Sequence, residues 1–205
     1  MFCIGCATSR YDLNLSGQYS KYSEPINNGH PDPSLSRTDY KADGSGLQLG
    51  IMETTSIFFA EFGVLYHSHV NQQVTLNSGE SSEVKLSRFG PYLKFGINLW
   101  WFRPYFATMN LNHNFRTDST NILDQLNDGS LTASGLGLGF IYPFTNSTGL
   151  YVSYERLVAS EFSNLAGSTT DHSFDYGENI SIGLTIYLGT LQGTGEEQPE
   201  SINWP

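Results

Sequence analysis

Along this chain apolar and polar residues take turns with a period of two, which predicts β-strands and no helix. Eight alternating runs can be read. Tyr11–Ser20 sets Tyr11, Leu13, Leu15, Gly17 and Tyr19 against Asp12, Asn14, Ser16, Gln18 and Ser20. Gly46–Glu53 shows Leu47, Leu49 and Ile51 on one face. Ile57–Val70 sets Phe58, Ala60, Phe62, Val64 and Tyr66 against Phe59, Glu61, Gly63, Leu65 and His67. In Glu83–Leu99, Phe89, Leu93, Phe95, Ile97 and Leu99 oppose Arg88, Gly90, Tyr92, Lys94, Gly96 and Asn98. Pro104–Phe115 is expected to turn Tyr105, Ala107, Met109 and Leu111 outward, against Thr108, Asn110, Asn112 and Asn114. Ser134–Phe144 opposes Leu136, Leu138, Phe140 and Tyr142 to Gly135, Gly137, Gly139 and Ile141, so one face is oily and the other nearly bare. Gly149–Leu157 sets Leu150, Val152 and Tyr154 against Tyr151, Ser153 and Glu155. Glu178–Gly189 sets Ile180, Ile182, Leu184, Ile186 and Leu188 against Ser181, Gly183, Thr185 and Tyr187.

The connections sort by length. Lys21–Ser45, Arg116–Ser130 and Val158–Gly177 are long, Asn71–Ser82 is intermediate, and Thr54–Ser56, Trp100–Arg103 and Pro143–Thr148 are short. Long links therefore gather at one end of the sheet and tight turns at the other. A soluble sandwich has no reason to sort its loops this way, whereas a membrane barrel does. The expected fold is all-β, an eight-stranded antiparallel up-and-down transmembrane β-barrel over residues 11–189. Residues 1–10 precede it and a polar tail, 190–205, follows. The apolar rows would meet lipid, and the glycines would relieve crowding in a lumen only wide enough for side chains. Closure pairs every backbone group, which is how β-structure persists in hydrocarbon.

Composition narrows the choice. Aromatics at 14% and 21 glycines in 205 residues suit β-structure. No run of 18 apolar residues marks a membrane helix, and a barrel needs none. A net charge of −10, with ten scattered Lys and Arg, argues against nucleic acid. No glycine-rich phosphate loop, paired Cys-x-x-Cys zinc site or His-Glu-x-x-His occurs, so no cofactor is expected. Three readings compete for "MFCIGCATSR": a metal or redox Cys-x-x-Cys, the end of a bacterial lipoprotein signal with Cys6 acylated, or a trimmed start without function.

With this pattern the chain resembles the small outer-membrane β-barrels of Gram-negative bacteria, the OmpA-like and OmpX-like type. The most specific piece is "SIGLTIYLG", in which Ser181, Gly183, Leu184 and Tyr187 match the terminal targeting signal of such barrels. The chain then continues through "TLQGTGEEQPESINWP" instead of stopping at an aromatic. The resemblance implies an outer-membrane location with both termini in the periplasm, and no enzymatic activity. It also implies outer-membrane lipids and lipopolysaccharide as surroundings, and the barrel-assembly machinery as a partner during insertion. A periplasmic or cell-surface protein is a further expected partner. Trp100, Trp101, Phe102, Tyr142, Phe144 and Tyr187 read as a periplasmic aromatic girdle, with Tyr19, Tyr66, Phe115 and Tyr154 as the outer one.

The inward faces carry Asp12, Glu61, Arg88, Lys94 and Glu155. Charges inside a narrow barrel must pair, because a lone buried charge is very costly. The resemblance implies an ion-pair network that plugs the lumen, and the alternative is solvated rims. His67 and His69 share a face that suits a metal, but no third ligand can be placed. A lipid A deacylase of the PagL type needs His-x-Ser; here Ser68 points away from both histidines, and His113 has no serine beside it. The acid-rich long connections read as solvated tips or as divalent-cation sites shared with lipopolysaccharide phosphates. The expected role is structural, adhesive or partner-binding through the long loops. The alternatives are a small channel or component of a larger envelope complex, a PagL-like enzyme, and a lipocalin-type carrier.

Overall fold

The computed structural model describes residues 9–24, 40–75, 78–118, 130–163 and 174–190. The strands are β1 (Arg10–Glu24), β2 (Tyr40–Thr54), β3 (Phe58–Thr75), β4 (Ser81–Ile97), β5 (Phe102–Thr117), β6 (Ser130–Pro143), β7 (Thr148–Ser163) and β8 (Phe174–Thr190). Each pairs antiparallel with the next, and β8 returns to β1, giving a closed eight-stranded barrel. The cysteines, residues 191–205 and the central parts of the long connections, residues 25–39, 119–129 and 164–173, lie outside the described residues.

Closure sets a stagger. A row of paired residues starting at Asp12 passes through Met52, Glu61, Lys94, Ala107, Gly135 and Leu157 to Gly177. Asp12 itself faces Tyr187, ten positions further along β8. The strands therefore tilt strongly around the axis, as a barrel of this size requires. Short turns join β2 to β3, β4 to β5 and β6 to β7 at one end, the turn end. At the tightest, Leu99 and Phe102 exchange backbone hydrogen bonds of 2.9 and 3.0 Å around Trp100 and Trp101. Trp100 holds a left-handed φ of 63°, a conformation that disfavours bulky residues.

At the other end, the loop end, the strands outrun the expected runs. β2 begins at Tyr40, β7 reaches Ser163, β8 starts at Phe174, and little chain remains between Thr75 and Ser81. Strand pairing continues there because backbone groups seek partners on any sequence, including polar stretches with no apolar alternation.

The faces are inverted relative to a soluble protein. Leu136 is 71% exposed and Phe62 63%, while Lys94 is 1% exposed and Glu155 0%. Outward rows of Leu, Ile, Val and Phe need a hydrocarbon surrounding, and the polar interior is sealed from it.

β5 reverses the expected facing. Tyr105, Ala107, Met109 and Leu111 are buried in the lumen, whereas Phe106, Asn110 and Asn112 are exposed outside. The neighbouring strand gives the reason. Tyr105 pairs with Gly137, where a Cβ would overlap the tyrosine ring, so the bare face of β6 houses a large ring from β5. The same device recurs at Gly50 and Gly63, which leave room for Tyr92.

Spin labels placed at Phe106→Cys and Met109→Cys check this facing in reconstituted bilayers. The label at 106 should be strongly relaxed by lipid-dissolved oxygen and the label at 109 shielded. The opposite ranking would return β5 to the facing its hydropathy suggests.

Candidate functional site

The lumen holds the chain's concentrated chemistry, arranged in three levels. At the turn end, Arg10 reaches Asp12, with Nε 2.9 Å from Oδ1 and Nη2 2.9 Å from Oδ2. The Arg10 guanidinium also lies over the Tyr187 ring, 4.6 Å from its centroid. Arg103 is buried beside them; its Nε donates to Asn98 Oδ1 at 3.2 Å and its Nη1 approaches Met52 Sδ at 2.8 Å. Thr185 Oγ1 donates to Asn14 Oδ1 at 2.7 Å on the β1–β8 wall, the next inward pair after Asp12 and Tyr187.

The middle level is an ion pair in an aromatic cage. Lys94 Nζ lies 2.6 Å from Glu155 Oε1, joining β4 to β7 across the lumen. Its ammonium stands 5.2, 5.2 and 5.6 Å from the ring centroids of Tyr92, Tyr105 and Tyr151, within cation–π range. The hydroxyls complete the set. Tyr105 donates to Glu155 Oε1 at 2.9 Å, Tyr92 donates to Glu61 Oε1 at 2.5 Å, and Lys94 donates to the Tyr151 oxygen at 3.2 Å. Asn179 adds a weaker bond to Glu155 Oε2 at 3.4 Å. Each carboxylate thus meets a donor, which a buried charge requires.

Nearer the loop end, Gln18 Nε2 donates to Gln48 Oε1 at 2.5 Å, and Gln18 Oε1 lies 2.5 Å from His67 Nε2. Arg88 is buried opposite His67 in the β3–β4 register.

The five charges expected on the inner face are all buried there, and Tyr92 and the ion pair link Glu61, Lys94 and Glu155. Asp12 is served by Arg10, Glu61 by a tyrosine, and Glu155 by Lys94. Arg10, Arg103 and the three tyrosines are partners that the sequence reading does not name. The reversed facing of β5 hides Arg103 and Tyr105. For Tyr92 the available sign is Gly63, its partner in the register, a bare inner position that leaves a ring its room.

His67 turns inward to Gln18, and the side chain of His69, like that of His113, lies outside the described residues. Among the described residues no group of three or more His, Cys, Asp or Glu could hold a metal. Of the aromatics expected in the turn-end girdle, Trp100, Phe102, Tyr142 and Phe144 are exposed and Trp101 is half-buried, stacked on Trp100 at 4.9 Å. Tyr187 departs from that group. It stands on the inner face beneath Arg10, because it alternates in step with Ser181, Gly183 and Thr185 and pairs with Asp12 in the β1–β8 register that runs unbroken from there to Lys21. In the last strand Ser181 is buried inside, Leu184 is exposed outside, and Gly183 lies against Ser16, where β8 closes on β1.

No protein-family model matches the chain, and no curated protein does. Solved structures do. The outer membrane protein OprG from Pseudomonas aeruginosa is 14% identical, with 90% of this chain and 98% of that one covered at a TM-score of 0.47. Neisserial surface protein A is 15% identical, with 86% and 96% covered at 0.45. The E. coli outer membrane protein W is 12% identical, with 90% and 100% covered at 0.40. The likeness is one of fold.

Removing one partner of the caged pair tests its role. Lys94→Met should cost roughly 3–5 kcal/mol in urea unfolding from lipid vesicles, because Glu155 would stay buried without its cation. Adding Glu155→Gln should restore most of that loss. A single variant as stable as the parent would show that the pair does not hold the lumen together.

Proposed function

We propose that the chain is a bacterial outer-membrane barrel, with the turn end and both termini in the periplasm, that does not conduct through its lumen. It acts by binding, as a structural, adhesive or partner-holding protein, through the connections at its loop end. The observation that carries this reading is the Lys94–Glu155 pair and its tyrosine cage, which cross the lumen at mid-height. An ion on the axis would have to part a pair whose separated charges are strongly unfavourable in a low-dielectric interior. The exposed Trp100, Phe102, Tyr142 and Phe144 suit a membrane–water interface at the turn end. Insertion by the barrel-assembly machinery, through the Ser181–Tyr187 signal, belongs to the same reading.

Planar-bilayer recordings and surface labelling test it together. The reconstituted protein should give no large, steady openings, and an epitope inserted between residues 164 and 173 should be reached by antibody on intact cells. Long-lived open channels would overturn the closed lumen, and an epitope reached only after permeabilisation would overturn the orientation.

A further inference from the structure

The outside of the barrel is uneven. Apolar outward residues run up to Tyr66 on β3, Phe89 on β4 and Ile180 on β8. On β5 they stop at Phe106 and give way to Thr108, Asn110, Asn112 and Asn114; on β6 they stop at Leu136 and give way to Ser134, Thr132 and Ser130. The two polar ribbons are register partners, Thr108 with Ser134, Asn110 with Thr132 and Asn112 with Ser130. Ser134 Oγ donates to Thr108 Oγ1 at 3.0 Å, and Asn110 Nδ2 to Thr132 Oγ1 at 3.4 Å.

Beside this ribbon the sheet is indented. Pro91 has no N–H to donate, and the β4–β5 pairing lapses between Phe89–Asn112 and Tyr92–Met109. A groove of about 360 Å³ lies there, with Phe62, Pro91 and Leu93 on its oily side and Thr108, Asn110 and Thr132 on its polar side.

Above it stand two cations. The chain has ten Lys and Arg. Arg88, Lys94 and Arg103 are buried in the lumen, Arg10 is tied to Asp12, and Arg156 faces Glu178 across β7 and β8. Lys85 and Arg116 instead face each other across β4 and β5, both exposed. Among the described residues no ion pair joins them to Glu83 or Asp118, which follow one step further out. Like charges directly opposite on a sheet are destabilising, and a bridging anion removes that cost.

We propose that this face of β4–β6 binds one acylated, phosphorylated oligosaccharide, the chemistry of lipopolysaccharide. An acyl chain fills the groove, sugar hydroxyls bond to the amide and hydroxyl ribbon, and a phosphate bridges Lys85 and Arg116. The spacing selects the ligand. Lys85 lies six residues beyond Pro91, about 20 Å of strand. A phospholipid with its phosphate at Lys85 and Arg116 would have to lay bare acyl chain along the hydroxyl and amide ribbon to reach the groove, whereas a phosphorylated oligosaccharide covers that stretch with hydroxyls of its own. The site rests on the outer-membrane reading above.

The test measures binding of rough-type lipopolysaccharide to the detergent-solubilised full chain by native mass spectrometry. Its companions are the same lipopolysaccharide after dephosphorylation, phosphatidylglycerol and inorganic phosphate. Dephosphorylation should weaken binding at least tenfold, as should the double variant Lys85→Ser, Arg116→Ser. Phosphatidylglycerol and inorganic phosphate should bind at least tenfold more weakly than the intact glycolipid. Equal binding of intact and dephosphorylated forms, an unaffected double variant, or phosphatidylglycerol binding as tightly would each overturn the site. The dephosphorylation arm uses the unaltered protein, so a misfolded variant cannot shield the proposal. A chain that migrates identically boiled and unboiled, and fractionates away from membranes, overturns the outer-membrane reading and this site with it. A heat-modifiable, membrane-held barrel indifferent to the phosphates overturns the site alone.

Discussion

A charge sealed inside a narrow tube has to find its partner within the tube, and the pair of Lys94 and Glu155 shows how this chain meets that constraint. The two residues come from β4 and β7, which are not neighbours in the sheet, so the bond spans the lumen instead of running along a wall. Tyr92, Tyr105 and Tyr151 close around the ammonium, and of their hydroxyls Tyr105 donates to Glu155, Tyr151 accepts from Lys94 and Tyr92 donates to Glu61. Those rings need space. Gly50, Gly63 and Gly137 supply it, so the glycines of one strand follow from the tyrosines of another.

The outer surface follows from the same closure. Once the charged groups and the rings that cage them take the lumen, the long apolar rows of most strands turn outward, β5 excepted, and their alternation becomes a statement about the solvent there. Leu136 at 71% exposure and Ile182 at 60% would be liabilities in water; in hydrocarbon they cost nothing and the paired backbone behind them is protected.

This logic explains which parts of the sequence could be read. Strand number, closure and facing were legible wherever the apolar side was outward, as in β3 and β8. β5 defeated the same rule because its inner face carries Tyr105, Ala107, Met109 and Leu111, while its outer face turns polar after Phe106. Hydropathy alone then points the wrong way. Register would have corrected it, since Lys94 faces Ala107 and an inward lysine forces its partner inward too. The identities of the buried pairs were not legible at all. Lys94 and Glu155 are far apart in sequence, and only the stagger of the barrel brings their levels together.

The reversed strand links the two halves of the molecule. By sending Tyr105 inward to the cage, β5 necessarily sends Thr108, Asn110 and Asn112 outward, because side chains alternate strictly along a strand. The polar ribbon on the outer surface is thus the other side of the lumen's aromatic cage. The ion pair and its tyrosines occupy the lumen at mid-height, and the exterior wall carries the polar counterpart. On that wall β5 and β6 interrupt the oily surface, and Lys85 and Arg116 add the only facing pair of exposed cations among the described residues.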